Sequence, residues 1–326
     1  MIELKSMRIS RISIWFLAAL SILTGSLSAQ TTETVSADMI VGNAVPRLKA
    51  YVETFKNLIS EEKKTFEIFG KNGEVKKRRI IESTFLVYPL SKAEGYVAEF
   101  RNVLAVDGKK LERTDERARD FFERIIASES SQSELDHIRD ESTRFDEDFA
   151  INGLTLFQAV ALSEELRSVF RFSLVGKDVI AGKEVYVIQF DQVNADPAIT
   201  VNSRGAPGQG ASHNYDIEID DDTAKLNARI RGRFWIDVST FNIRRELRER
   251  TIRPAGYSEP LVVAEDKFEY TDSEFGILTP QRLTHLQYRV TIKSREARKD
   301  TRVTFDYGKF TRPDVEVKSA EVKENN

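Results

Sequence analysis

Three histidines, His137, His213 and His285, are where acid–base or metal chemistry would be sought first, and none of them has a second ligand type at metal-binding spacing. The acidic run Asp216, Glu218, Asp220, Asp221, Asp222 imitates the start of a calcium loop. Its sixth position is Asp221 where the sharp turn needs glycine, and its twelfth is Asn227 where a bidentate glutamate belongs. The glycines of SRGAPGQG, Gly205, Gly208 and Gly210, neither follow a strand nor open a helix, so they do not make a phosphate cradle. No serine sits in a nucleophile elbow, adjacent acids such as Glu61 and Glu62 diverge rather than converge, and the absence of cysteine removes thiolate chemistry and zinc–thiolate sites together. The sequence therefore gives no reaction centre and no cofactor site, and the expected activity is binding rather than catalysis.

Two groups of residues could do that binding. Arg229, Arg231 and Arg233 stand opposite Arg244, Glu246, Arg248 and Arg250 across a hairpin, with Trp235 among them. Cross-strand ion pairs on a solvated face account for such a pattern. Arg231, Trp235 and Arg248 are also the candidates for docking an acidic partner or an anionic headgroup, because indole and guanidinium both suit wet interfaces. The second group is apolar: Phe100, Phe170, Phe172, Phe190, Phe234, Phe268, Tyr288 and Phe305 are expected to share one curved surface. With twenty phenylalanines against three methionines, that surface is wide and stiff. Fully covered it is a core; partly covered it is a cavity for an acyl chain or another lipophile.

The elements that would position these residues are mostly strands. Between 225 and 310, apolar side chains fall on alternate positions with charges between them: Ile230, Phe234 and Ile236; Leu286, Tyr288, Val290 and Ile292; Val303, Phe305 and Tyr307. Because strand side chains alternate between faces, this pattern is that of half-buried antiparallel sheet, with the apolar set toward the core and the charged set toward water. Further strands are expected over 64–69, 81–87, 96–106, 170–175 and 185–191, with turns at 70–74, at Asp107-Gly108 and at Gly182. Helices are expected from Pro46 to about residue 60 and in two segments after residue 114, while 154–169 is ambiguous. The two segments carry Phe121, Phe122, Ile125, Ile138 and Phe145 on their apolar stripes and form a lid over the sheet. The fold class is α+β: a strongly curved antiparallel sheet, an unclosed barrel of about nine to eleven strands, with helices on its concave apolar face.

The organisation along the 326 residues follows from composition. Residues 1–29 have the three parts of a secretory signal: Lys5, Arg8 and Arg11, an apolar run over 12–23, and small residues at Ser26, Ser28 and Ala29. The apolar run is short against the roughly 20 residues needed to span a bilayer. Export with cleavage, a soluble mature chain and a periplasmic location are the expectation. Residues 30–42 are expected as a linker, 43–312 as one domain with a mobile loop at 192–224, and 313–326 as a disordered tail. A net charge of −3 makes nucleic acid an improbable partner.

GRFWID at 232–237, followed by a turn and IRRELRER, resembles the tryptophan hairpin of LolA/LolB-type periplasmic lipoprotein carriers, and SEFGILTPQRL at 273–283 is similar to another of their strand–turn–strand signatures. PRLKAYVETFKNLISEEKKTFEIF at 46–69 and RFSLVGKDVIAGKEVYVIQF at 171–190 are similar to segments of uncharacterised secreted bacterial proteins of the same layout. The resemblance implies an unclosed barrel plugged by helices that receives a lipid or lipoprotein acyl chain; peripheral membrane contact is compatible with that, and no second apolar stretch is long enough for a membrane span after signal cleavage. RseB-like relatives imply the alternative, an envelope sensor or adapter that docks a protein through the charged sheet face without transporting a ligand.

Overall fold

The computed structural model describes residues 35–56, 58–90, 97–146, 155, 159–195, 199–203, 213–219 and 226–312. The signal at 1–29, the tail at 313–326 and residues 196–198, 204–212 and 220–224 of the expected loop, with Asp220, Asp221 and Asp222 of the acidic run, lie outside the described residues.

Helix α1 (Ala37–Phe55) begins earlier than the sequence predicts. Ser36 caps it, its Oγ accepting the backbone N–H of Met39 at 3.2 Å, so residues 37–42 of the expected linker are helical and Pro46 lies inside the helix rather than at its start. Strands β1 (Ile59–Phe69), β2 (Val75–Pro89), β3 (Val97–Val106) and β4 (Lys109–Lys110) follow as a meander. Helices α2 (Thr114–Ile126) and α3 (Ser131–Ser142) come next, then short 3-10 turns at Val160–Leu162 and Arg167–Val169 in the ambiguous segment. The chain returns to sheet in β5 (Phe170–Ile180), β6 (Lys183–Gln192), β7 (Ile199–Ser203), β8 (His213–Ile219) and β9 (Leu226–Asp237). Strands β10 (Ile243–Pro254), β11 (Leu261–Asp272), β12 (Leu278–Thr291) and β13 (Glu296–Tyr307) complete it.

Eleven of these strands form one open antiparallel path, β4-β3-β2-β1-β13-β12-β11-β10-β9-β6-β5, so β1 joins the last strand and the sheet does not close. The turns use the expected chemistry: Asp107-Gly108 and Ala181-Gly182 take left-handed backbone at both positions, as two-residue hairpin turns require. The segment 192–224 is not all loop. It contains β7 and β8, which pair in parallel with each other, and β8 pairs in parallel with β12.

Helix α1 lies across one face of the sheet, called here the inner face. Its Phe55 ring meets Phe85 of β2 and Phe310, and its Tyr51 ring meets Tyr270 of β11 edge-on at 6.2 Å. The α2–α3 pair packs elsewhere. Phe121 stacks at 4.5 Å on Phe100, and Phe122 packs on Tyr88, residues that alternate with the inward Phe85 and Arg101 and so belong to the reverse face. Only the end of this segment reaches the inner side. Ser142 seals the open edge of β3, its Oγ accepting Arg101 N–H at 3.2 Å and donating to Glu99 C=O at 3.3 Å, after which Phe145 joins the main core.

Candidate functional site

Cross-strand register decides what the inner face presents. One row reads Lys64, Phe305, Leu283, Phe268, Glu246, Phe234, Ile188, and the next reads Phe66, Val303, His285, Asp266, Arg248, Gly232, Phe190. The inner face is thus aromatic and ionic together. Gly232 is required in its row, because a Cβ there would lie 2.6 Å from the Phe190 ring.

At the β1–β3 end, Arg101 is held by both oxygens of Glu62 (Nε 2.7 Å, Nη2 2.9 Å) and by Glu99 (2.9 Å), with its guanidinium 5.1 Å from the centre of the Phe85 ring and 5.3 Å from that of Phe305. Next to it Lys64 pairs with Asp146 at 2.5 Å, the first residue past Phe145 on the strand of chain that leaves α3. At the β10–β12 end, Arg248 donates to Glu246 at 2.9 Å, and the other Glu246 oxygen accepts the Ala159 N–H at 2.7 Å. Arg250 donates to Asp266 at 2.6 Å, and His285 meets the same carboxylate through Nδ1 at 2.6 Å and Gln287 through Nε2. All of these side chains are buried. Between the two ends the hydroxyls of Tyr51 and Tyr270 are buried with no hydrogen-bond partner among the described residues.

The electrostatics show which pairs are comfortable. Burial opposes the charge on Asp266, yet Arg250 and His285 outweigh it and hold the carboxyl well below the usual range. Burial likewise opposes Arg101, but Glu62 and Glu99 raise it well above its ordinary value. For Lys64 and Asp146 burial wins despite their contact, lowering the amine and raising the acid, and burial also pushes Glu246 up. A His285–Asp266 contact could serve general-base chemistry in an open site. Here both imidazole nitrogens are engaged by neighbours, the ring is buried, and the arrangement is structural. Among the described residues no cluster of three or more potential metal ligands forms.

The expected sites fall out as follows. Phe170, Phe172, Phe190, Phe234, Phe268 and Phe305 do share one core cluster, but they are packed against each other, α1 and the 3-10 turn at Val160–Leu162. Phe100 belongs to the α2–α3 cluster, and Tyr288 to a third one with Ile252, Val263 and Val290. Phe121, Ile125, Ile138 and Phe122 cover Phe100 on the reverse face rather than the inner one, and only Phe145 faces the main core. The docking trio is split: Arg231 and Trp235 lie on the outer face, where Arg231 pairs with Glu249 at 2.7 Å and Trp235 donates to Asp178 at 3.2 Å, whereas Arg248 is buried on the inner one. The ionic interior was missed although it has a signature. Glu62-x-Lys64, Glu99-x-Arg101 and Glu246-x-Arg248 each place opposite charges two residues apart, on the same side of a strand.

One space open to a ligand lies at an end of this interior. A cleft of about 600 Å³ runs between the β11–β12 turn and the segment just after β13, lined by Phe275, Pro280, Tyr307 and Phe310 and rimmed by Glu274 and Lys309. Phe310 links it to the core by packing on Phe55 and Tyr307, and the Tyr307 hydroxyl is fixed by Thr155 at 2.5 Å. Glu274 and Lys309 pair across the rim at 3.4 Å, and Arg312 lies over the Phe275 ring. The SEFGILTPQRL segment supplies Phe275 and Pro280, so the sequence marked this turn without marking its cleft.

Fold and cleft together define an unclosed, curved-sheet α+β protein with a filled ionic interior and an apolar notch at one end. No family model matches the sequence, and no curated protein matches it. Solved structures similar to the chain include a DUF1329 family protein from Desulfovibrio piger (11% identity, TM-score 0.31, covering 87% of this chain and 95% of that one). They also include a putative outer membrane lipoprotein-sorting protein domain from Vibrio parahaemolyticus (9% identity, TM-score 0.33, 87% and 94%). A third is a LolA superfamily protein from Nitrosomonas europaea (10% identity, TM-score 0.32, 86% and 96%). Among the described residues no helix is long and apolar enough to cross a membrane.

Proposed function

We propose that the protein is an exported binding protein of the cell envelope that holds a lipophilic group, a lipid or a lipoprotein acyl chain, in the cleft at the β11–β12 turn, without a catalytic step. The observation that carries this reading is the cleft itself: about 600 Å³, within the usual range for small-molecule sites, with three aromatic rings and a proline on its walls. An acyl chain laid against Phe275, Tyr307 and Phe310 would lose its contact with water while its polar end stayed at the Glu274–Lys309 rim. The signal-like residues 1–29 and the resemblance of the two hairpins to lipoprotein carriers support the envelope location and the ligand class. The packed phenylalanines of the sheet centre then serve as the rigid wall behind the cleft rather than as its lining.

The test is native mass spectrometry of protein made in its own envelope, together with uptake of a fluorescent fatty acid. A copurifying lipid and saturable uptake are expected, and Phe275→Glu, which places a charge on a half-buried wall position, should abolish uptake while leaving the melting temperature close to that of the parent. Protein that carries no lipid and takes up no fatty acid would refute the carrier reading and favour the adapter.

A further inference from the structure

The outer face of β9 and β10 carries a second site of different chemistry. Asn227, Arg229 and Arg231 of β9 point to one side, and Arg253 of β10 lies opposite Asn227, two pairs along from Arg229 opposite Thr251. Diagonal neighbours at this spacing are within reach of long side chains. Together with Asp191 of β6 they line an open cavity of about 320 Å³. Three guanidiniums therefore face one carboxylate. Arg231 is paired with Glu249, but among the described residues neither Arg229 nor Arg253 has a carboxylate within ion-pairing distance, and Arg229 donates only to the neighbouring Ala228 carbonyl. Unlike the inner face, where every arginine of the network meets an acid, this cavity has more guanidiniums than carboxylates among the described residues.

We infer that this cavity binds a phosphate-bearing anion, the chemistry common to inorganic phosphate and a phospholipid headgroup. A phosphate accepts paired hydrogen bonds from the planar guanidinium fork, and two or three such forks converging on a recess outcompete water where a flat arginine surface does not. The Asn227 amide adds a neutral donor on the same side. The site does not depend on the cleft at the β11–β12 turn, since it uses other strands and other residues.

Calorimetric titration of the full chain with inorganic phosphate tests the site, and cosedimentation with phosphatidylglycerol vesicles against phosphatidylcholine vesicles identifies the source of the anion. The variants are Arg229→Gln/Arg253→Gln and, as a charge-matched control, Arg282→Gln/Arg289→Gln, whose guanidiniums are exposed and paired with Asp306 and Asp300. Wild type and control should bind phosphate, and the Arg229→Gln/Arg253→Gln variant should bind at least about tenfold more weakly, the loss expected from one charge-assisted hydrogen bond. Phosphatidylglycerol binding lost in the same variant assigns the site to a headgroup; phosphate binding without vesicle binding assigns it to a free anion. Should the Arg229→Gln/Arg253→Gln variant melt lower than wild type, the exposed single change Arg253→Gln replaces it. No binding of either probe by wild type, or equal binding by the arginine variants, overturns the inference.

Discussion

Replacing Arg101 by Met should be among the most damaging single changes available in this protein. Arg101 is almost inaccessible to water and is the common cation of Glu62 and Glu99, whose side chains are also fully buried. Removing it leaves two carboxylates facing one another without their counter-charge and strips the stacked guanidinium from Phe85 and Phe305. Breaking a buried ion pair from one side costs about 3–5 kcal/mol, and two acids are stranded here, so the upper part of that range applies. At about 2–4 °C per kcal/mol for a domain of this size, the melting temperature should fall on the order of 10 °C. Urea unfolding followed by circular dichroism gives the free energy directly. The physical reason predicts a second result: Arg101→Met combined with Glu62→Leu and Glu99→Leu removes the stranded charges and should recover most of the loss, because an apolar replacement of a buried ionic cluster is often neutral. A loss below about 1 kcal/mol in the single variant, or a triple variant as unstable as the single one, would refute the reasoning.

Two further outcomes follow from the same interior. The depressed Asp266 contributes stability that is fully present above its unfolded value, about 3.9, and is lost as pH falls through its lower folded value. The stability gap between wild type and Asp266→Asn, measured by urea titration at each pH, should therefore stay constant from neutral pH down to about pH 5 and narrow below about pH 4. Tyr270→Phe removes a buried hydroxyl with no hydrogen-bond partner among the described residues and should leave the protein equally stable or raise it by about 1 kcal/mol; a loss greater than that in thermal melts would mean the hydroxyl is satisfied.

How much of this was legible depends on what kind of information each strand carried. In β9 and β13 the apolar set is also the inward set, so Ile230, Phe234, Ile236, Val303 and Phe305 could be placed by alternation alone. In β12 the same rule gives the wrong phase. Leu283, His285 and Gln287 point inward before the bulge at Gln287/Tyr288, because His285 is matched to Asp266 and Gln287 to Ala264 across the sheet. Strand β10 repeats the lesson, with Glu246, Arg248 and Arg250 inside and Leu247 outside. Alternation gives the period of a strand but not which set is inward, and polar residues can take the inward set when their partners arrive from other strands. The position of α2 and α3 was lost for a related reason. An amphipathic stripe shows that a helix is covered but not by which face of the sheet, and here the reverse side of β2 and β3 offered Tyr88 and Phe100 as a platform.

This arrangement bears on how a ligand could be held. A sheet whose inner face were only phenylalanine could open a cavity by letting α1 shift, since apolar contacts are not directional. Here Glu62, Arg101, Glu99, Lys64 and Asp146 tie β1, β3 and the segment after α3 together, and Glu246 ties β10 to the 3-10 turn through Ala159. Separating those elements would expose several buried charges at once, each costing several kcal/mol if left unpaired. Such an interior resists opening at its centre, and a ligand of the proposed kind would bind where no fully buried ion pair must break. Among the described residues the Phe275–Phe310 cleft has the exposed Glu274–Lys309 pair at its rim, which contributes about 1 kcal/mol or less, and the Asp272–Arg244 pair on its wall, which a chain laid against the rings need not part. Entry there requires parting one surface ion pair, whereas entry under α1 requires breaking a network. The same asymmetry predicts that a fatty acid bound in the cleft leaves the α1–sheet interface intact, so that amide hydrogen exchange slows around the β11–β12 turn and stays unchanged in α1. Protection changes centred on α1 instead would show that the ionic interior does open and that the cleft is not the binding site.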